Sequence, residues 1–150
     1  MKRTASLVSA LAVLLVLAAS AFAGSKPFSW VQVFSHSGRT EYYDQNNKAT
    51  LTPSNTLQAT IKVVDSEMLK DPDMKKNNVA YIVELREFDT SKPAFRPIAF
   101  FFYDSKDNLL HIEDVKDQSP MSAAFAENTP PFKIWKTVIE KAGYKIQKGK

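Results

Sequence analysis

Two histidines, His36 and His111, and five carboxylates, Glu84, Glu87, Asp89, Glu113 and Asp114, are the residues with which this chain could do acid–base or metal chemistry. His111 stands close to Glu113 and Asp114, and a His/Glu/Asp set of that kind can hold a divalent ion. The surrounding run, 109–115, reads as a strand, however, and alternation turns Asp114 to the opposite face from His111 and Glu113. Two ligands without a third favour a solvated polar strand over a metal centre. His36 lies in a Ser35-His36-Ser37-Gly38 turn. A serine hydrolase would need one of these histidines beside an acid and an activated serine, and no Gly-x-Ser-x-Gly elbow is present. The chain has no cysteine, so a thiol nucleophile is excluded. A glycosidase would need two carboxylates facing each other across a cleft, whereas small sheet domains often carry such residues on a solvent face. Residues 104–108 (Asp-Ser-Lys-Asp-Asn) resemble a cation loop. They lack the glycine and distal glutamate of an EF-hand, and Lys106 would oppose a cation, so a hairpin turn is the better reading. Glycine-rich phosphate motifs are absent, with four glycines in all. These residues assign no catalytic, cofactor-binding or metal-binding position, and the expectation is a protein that is not an enzyme and carries no cofactor.

The elements that would position these side chains are mostly strands. Trp30 to Phe34 is β-branched and aromatic, and residues 39–44 resume an extended pattern after the turn, predicting a hairpin with a loop of about four residues. Turns are predicted at 45–47 and 53–55. Leu57, Ala59, Ile61 and Val63 alternate with Gln58, Thr60 and Lys62, the pattern of a half-buried strand over 57–65. Residues 66–78 are polar and contain Pro72, which predicts a loop with at most one helical turn over 67–70. A strand over 79–88 follows. In 95–103, Ile98, Phe100 and Phe102 share one face, and Ala99, Phe101 and Tyr103 share the other. An apolar residue on both faces predicts a central strand covered on both sides. The last element is a helix with Thr129 as N-cap, Pro130 and Pro131 in the first turn, and Gly143 as its stop. Phe132, Trp135, Val138, Ile139 and Ala142 form its apolar stripe. Strands followed by one helix predict an α+β fold, an antiparallel sheet of about six strands packed against one C-terminal helix. If that helix covers one side of the central strand, Phe101 and Tyr103 need cover on the other. Either the loop bearing Met68, Leu69 and Met74 or a second copy of the chain, in a homodimer, would supply it.

Residues 1–23 read as a secretory signal peptide: Lys2 and Arg3, an apolar run from Leu7 to Ala19, then Ala21-Phe22-Ala23 at the cleavage site. The apolar run is too short to span a bilayer, and without cysteine no acyl chain can be attached, so no stable membrane anchor is expected. Removal of this segment takes away two cations and no acids, lowering the formal charge from +4 to +2. The basic balance is then too slight to imply a nucleic-acid partner. Residues 24–150 form a single domain with enough chain for a core that must hold without disulfides. The expected location is exported, either periplasmic or released. Residues 133–150 hold six lysines against Glu140, which reads as a solvated helix face and tail.

The early Trp30 strand, the Tyr42-Tyr43-Asp44 end of the first hairpin, and the alternating strand 57–65 form a pattern. It continues with Glu84-Leu85-Arg86-Glu87, the strand–turn–strand segment 96–110, and the proline-led helix 129–143 with its central tryptophan. This order of elements and aromatic positions resembles the bacterial surface-adhesin protein E family and its exported relatives. The resemblance implies an antiparallel sheet with a C-terminal helix, and binding of a host extracellular-matrix or serum protein. It supplies no ligand-contact residues. Family adhesins are displayed through a lipid anchor, for which this chain has no cysteine, and Asp107-Asn108 stand where relatives often have a glycine. The leading expectation is an exported, non-enzymatic binding module acting through protein–protein contacts. The alternatives are a periplasmic small-ligand carrier or an inhibitor of an envelope enzyme, with a hydrolase third.

Overall fold

The computed structural model describes residues 27–146, so the expected signal peptide and its cleavage site near Ala23 lie outside the described residues. Seven strands form one antiparallel sheet: β1 (Trp30–His36), β2 (Arg39–Asp44), β3 (Thr50–Leu51), β4 (Thr56–Asp65), β5 (Tyr81–Asp89), β6 (Phe95–Tyr103) and β7 (Leu109–Asp114). Their order is β1-β2-β4-β5-β6-β7, and the two-residue β3 pairs with the start of β4. A short helix, α1 (Pro72–Lys76), follows β4, and the longer α2 (Pro130–Lys141) closes the chain. The α+β class and the single C-terminal helix on the sheet are as the sequence predicts; β3 was not anticipated, because two residues are too few to show alternation.

The alternation of β4 is fully expressed. Leu57, Ala59, Ile61 and Val63 are buried with Tyr43 of β2 and Phe88 of β5 against Ile134, Trp135, Val138 and Ile139 of α2. The buried stripe of α2 thus includes Ile134, while Phe132 and Ala142 lie half-buried at its margins. The Thr129 hydroxyl accepts the Phe132 N–H at 3.4 Å. At the other end Gly143 has φ +87° and the Tyr144 N–H reaches back to the Ile139 carbonyl at 3.0 Å, a left-handed stop that only glycine adopts without strain. Trp135 is sealed into the core, and its indole N–H donates to the Asp89 carbonyl at 2.8 Å.

Two local readings needed correction, and strand β6 carries an unforeseen bulge. The first hairpin turns on two residues, Ser37 and Gly38, where a loop of about four was expected; β1 runs on to His36, and both turn residues have positive φ, +48° and +80°. Such a turn matches the twist of the paired strands. Pro72, read as a breaker, instead opens α1: it occupies the first turn, where no N–H is needed, and the Asp71 carboxylate accepts the Asp73 N–H at 2.8 Å. In β6 the pairing with β5 skips Ile98, since Leu85 faces Ala99 and Arg86 faces Pro97. That bulge is where a proline can sit inside a strand. Strand β6 is central, between β5 and β7, as its two apolar faces predict.

Gly38 is the tightest point of the β1–β2 hairpin, because a Cβ there would lie 2.2 Å from Ser66 Oγ. Gly38→Ala is expected to destabilise by about 1–2 kcal/mol, while Ser37→Asn, which suits the same turn, raises the midpoint of thermal melting. Trp135→Ala is expected to cost about 3–5 kcal/mol in urea unfolding.

Candidate binding surface

On the α2 side, the sheet beside the helix carries a charged network. Arg86, 2% exposed, donates from Nε to Glu84 at 2.7 Å and from Nη1 to Glu41 at 2.8 Å, with its guanidinium 4.6 Å above the Phe95 ring. Glu41 in turn accepts from Arg39 at 2.7 and 2.9 Å, and Arg39 reaches Asp65 at 3.0 Å. Asp65 then accepts the Glu67 and Met68 N–H groups, tying the network to the loop after β4. Burial alone would push the Glu41 carboxyl up, but Arg86 and Arg39 hold it below its ordinary value. Burial likewise works against the Arg86 charge, and Glu84 and Glu41 outweigh it, so the guanidinium stays protonated. Every charged member has a partner within the set, which is the arrangement of a structural network.

Among the described residues, α2 packs on that side alone, and the opposite face has its own cluster. Val83 and Phe101 are buried there with Tyr81 and Ala99, packed by Trp30, Val64, Leu85, Tyr103 and Ile112. This cluster does not draw on Met68, Leu69 or Met74, the first of the two covers expected for it. Tyr81 and Tyr103 face each other across β5 and β6 with stacked rings 5.1 Å apart. The Lys62 ammonium lies 3.8 Å from the Tyr81 ring centroid and 6.0 Å from that of Trp30, an attraction between cation and ring quadrupole. The Tyr81 hydroxyl donates to Asp107 at 2.7 Å, and burial followed by that carboxylate raises its pKa. Burial lowers the pKa of Lys62, with Asp107 opposing. Half-buried Trp30, Tyr42, Lys62 and Tyr103 therefore form a ringed surface over a dry floor, and exposed Leu109 continues it beside Tyr103.

The candidate residues of the sequence are dispersed. His36 ends β1, exposed, and His111 lies exposed on β7 with its ring 5.7 Å from Phe102. His111 and Glu113 face Phe102 and Phe100, while Asp114 faces Ala99 on the other side, the split that alternation predicts. No group of three or more potential metal ligands occurs among the described residues. Glu84 and Glu87 lie on opposite faces: Glu84 belongs to the arginine network, and Glu87 accepts from Thr56 at 2.6 Å and from Arg96 at 2.7 Å. Asp89 caps the following turn by accepting from Ser91 and Lys92. Asp104 accepts the Lys106 and Asn108 N–H groups and the Asn108 amide, so its carboxylate is used by the hairpin turn. The Lys62–Tyr81–Tyr103–Asp107 group was missed, because its members meet only once the β5–β6 register is fixed.

Two adjoining clefts, about 630 and 500 Å³, flank α2 and share Glu127, Phe132, Tyr144, Lys145 and Ile146. The smaller one reaches Trp135 and Ile139. Among the described residues no helix is long and apolar enough to cross a membrane. Comparison with protein-family models, curated proteins and solved structures finds no match to this chain.

Removing Arg86 would strand Glu41 and Glu84 beneath the surface, so Arg86→Ala is expected to cost about 3–5 kcal/mol in urea unfolding. The pH dependence follows from Glu41. Its folded pKa lies below the unfolded value near 4.5, so the stability it contributes is present above that value and is lost as pH falls through the folded one. Urea midpoints measured on descending pH should therefore drop below about 4.5, and Glu41→Gln should flatten that slope while lowering stability at neutral pH.

Proposed function

We propose that this chain is an exported, non-enzymatic binding module, adhesin E-like, that acts through protein–protein contacts at the cell envelope or outside the cell. The observation that carries this reading is the sheet face away from α2, where Trp30, Tyr42, Lys62, Tyr81 and Tyr103 gather over a packed floor and Leu109 extends the surface. Aromatic side chains bury large areas with few rotamers to fix, which is why they concentrate where proteins meet. A host matrix or serum protein is the partner that the family likeness suggests; a second copy of the chain is the other protein this face would take. The clefts beside α2 support the carrier as a second reading, since Phe132, Trp135 and Tyr144 line them together with charged rims.

Protease treatment of intact cells, with a periplasmic protein as control, tests display. Degradation while the control survives is expected; survival until the envelope is opened would overturn the adhesin role. In binding to immobilised matrix proteins, Trp30→Ala and Tyr103→Ala are each expected to weaken capture about tenfold or more with circular dichroism unchanged. Equal capture by both variants would remove this face from the contact. A small amphipathic molecule released from the purified protein and seen by mass spectrometry would instead favour the carrier.

A further inference from the structure

The sheet ends in two edges, β1 and β7, and they differ. Strand β1 lies against α2 and its pairing with β2 is interrupted by a bulge between Gln32 and Phe34, a device that blunts an edge. The pairing of β7 with β6 also shifts register, between Phe102 and Tyr103, but it is continuous from His111 to Asp114, a stretch with no proline and no lysine. All its residues but Ile112 are exposed, with Leu109 and Leu110 at 48% and 41%. The Val115 N–H donates to the Ile98 carbonyl at 2.9 Å. Counting back along an antiparallel pair from that bond, the backbone groups of Glu113 and His111 also face β6, and those of Ile112 and Asp114 face outward. Among the described residues, no backbone partner meets them on that side.

We propose that β7 is a strand-addition site, taking an extended segment of a partner protein whose lysine or arginine side chains meet Glu113 and Asp114. This rests on the reading of the chain as a protein-binding module and specifies its mode. Charge selects the partner. Residues 104–117 hold five acids against two lysines, on a chain whose formal charge is +4. Asp104 is committed to its own turn and Asp107 to Tyr81, whereas Glu113 and Asp114 project from the edge strand on its two faces, Asp114 with one carboxylate oxygen accepting the Lys116 N–H at 3.0 Å. An added strand places its side chains directly opposite these, at the spacing where unlike charges attract and like charges repel. A second copy would bring the same acidic strand against itself, so the edge favours a foreign, basic segment. Main-chain hydrogen bonds supply the affinity and the two acids the choice of sequence.

The probe is a short synthetic peptide alternating valine and threonine, with lysines set to register against Glu113 and Asp114, added to the full chain and followed by fluorescence anisotropy and amide hydrogen exchange. Exchange at Ile112 and Asp114 is expected to slow about tenfold or more at saturation, and Glu113→Lys with Asp114→Lys to raise Kd by about tenfold or more. The same peptide N-methylated at alternate amides should not bind. Absence of binding, binding that leaves those two amides exchanging freely, or equal binding of the N-methylated peptide overturns the proposal. If Trp30→Ala and Tyr103→Ala still weaken capture of matrix protein while the β7 amides stay unprotected, strand addition fails and the binding-module reading stands. If neither result is obtained, both fall.

Discussion

One twelve-residue helix has to cover a sheet six strands wide, and it cannot. Such a helix is about 18 Å long, while six strands at their usual spacing span about 24 Å, and the ten residues of β4 run further still in the other direction. The strand residues next to helix α2 are accordingly apolar, and beside them the same face carries the charged set Arg86, Glu41, Glu84, Arg39 and Asp65, with Ile82 and Phe102 further out. A buried ion pair is weak as a source of stability, because well-packed apolar residues of the same volume often do as well. Its value here is geometric. Arg86 of β5 reaches past β4 to Glu41 of β2, above the small Ala59 that faces it. A slip of one residue in any of these three strands would send its contribution to the wrong side of the sheet.

What could be read in the chain follows from the range of the forces involved. Strand β4 and helix α2 declare themselves through periodicity alone, and β6 through apolar residues on both faces, since burial is imprinted residue by residue. The Ser37-Gly38 turn lacks the Asn-Gly signature of its class, and its tightness comes from Ser66, which is remote in sequence. Pro72 has two meanings, breaker and first-turn residue, and only Asp71 before it tips the balance. The arginine network joins residues as much as 45 positions apart and depends on strand register, which no local pattern encodes. The same holds for the face away from α2: Tyr103 reads as part of an apolar face in need of cover, but Lys62 reads only as a polar residue in an alternating strand and Tyr81 only as one residue of the 79–88 strand.

The two faces have reached burial by different means. Under α2 the floor is aliphatic, with Ile61, Val63 and Val138 at 1% exposure or less. On the other side Val83 and Phe101 lie under flat rings and the methylene stem of a lysine, groups that exclude water while keeping a polar edge outward. Such a layer is a surface and a core at once. It can meet a partner with little rearrangement, because the rings are already stacked and the Tyr81 hydroxyl already has its acceptor.

The two tryptophans of the chain stand on opposite sides of this sheet, Trp135 in the aliphatic layer under α2 and Trp30 among the rings of the open face. They are therefore two separate optical reporters. Trp135, 4% exposed and with its indole N–H held by a carbonyl, emits from an apolar, fixed surrounding and answers to unfolding of the core. Trp30, stacked on Phe28 at 4.8 Å with the Lys62 ammonium nearby, emits from a half-wet, charged one and answers to whatever settles on the open side. The molecule thus distinguishes by colour between losing its fold and gaining a neighbour.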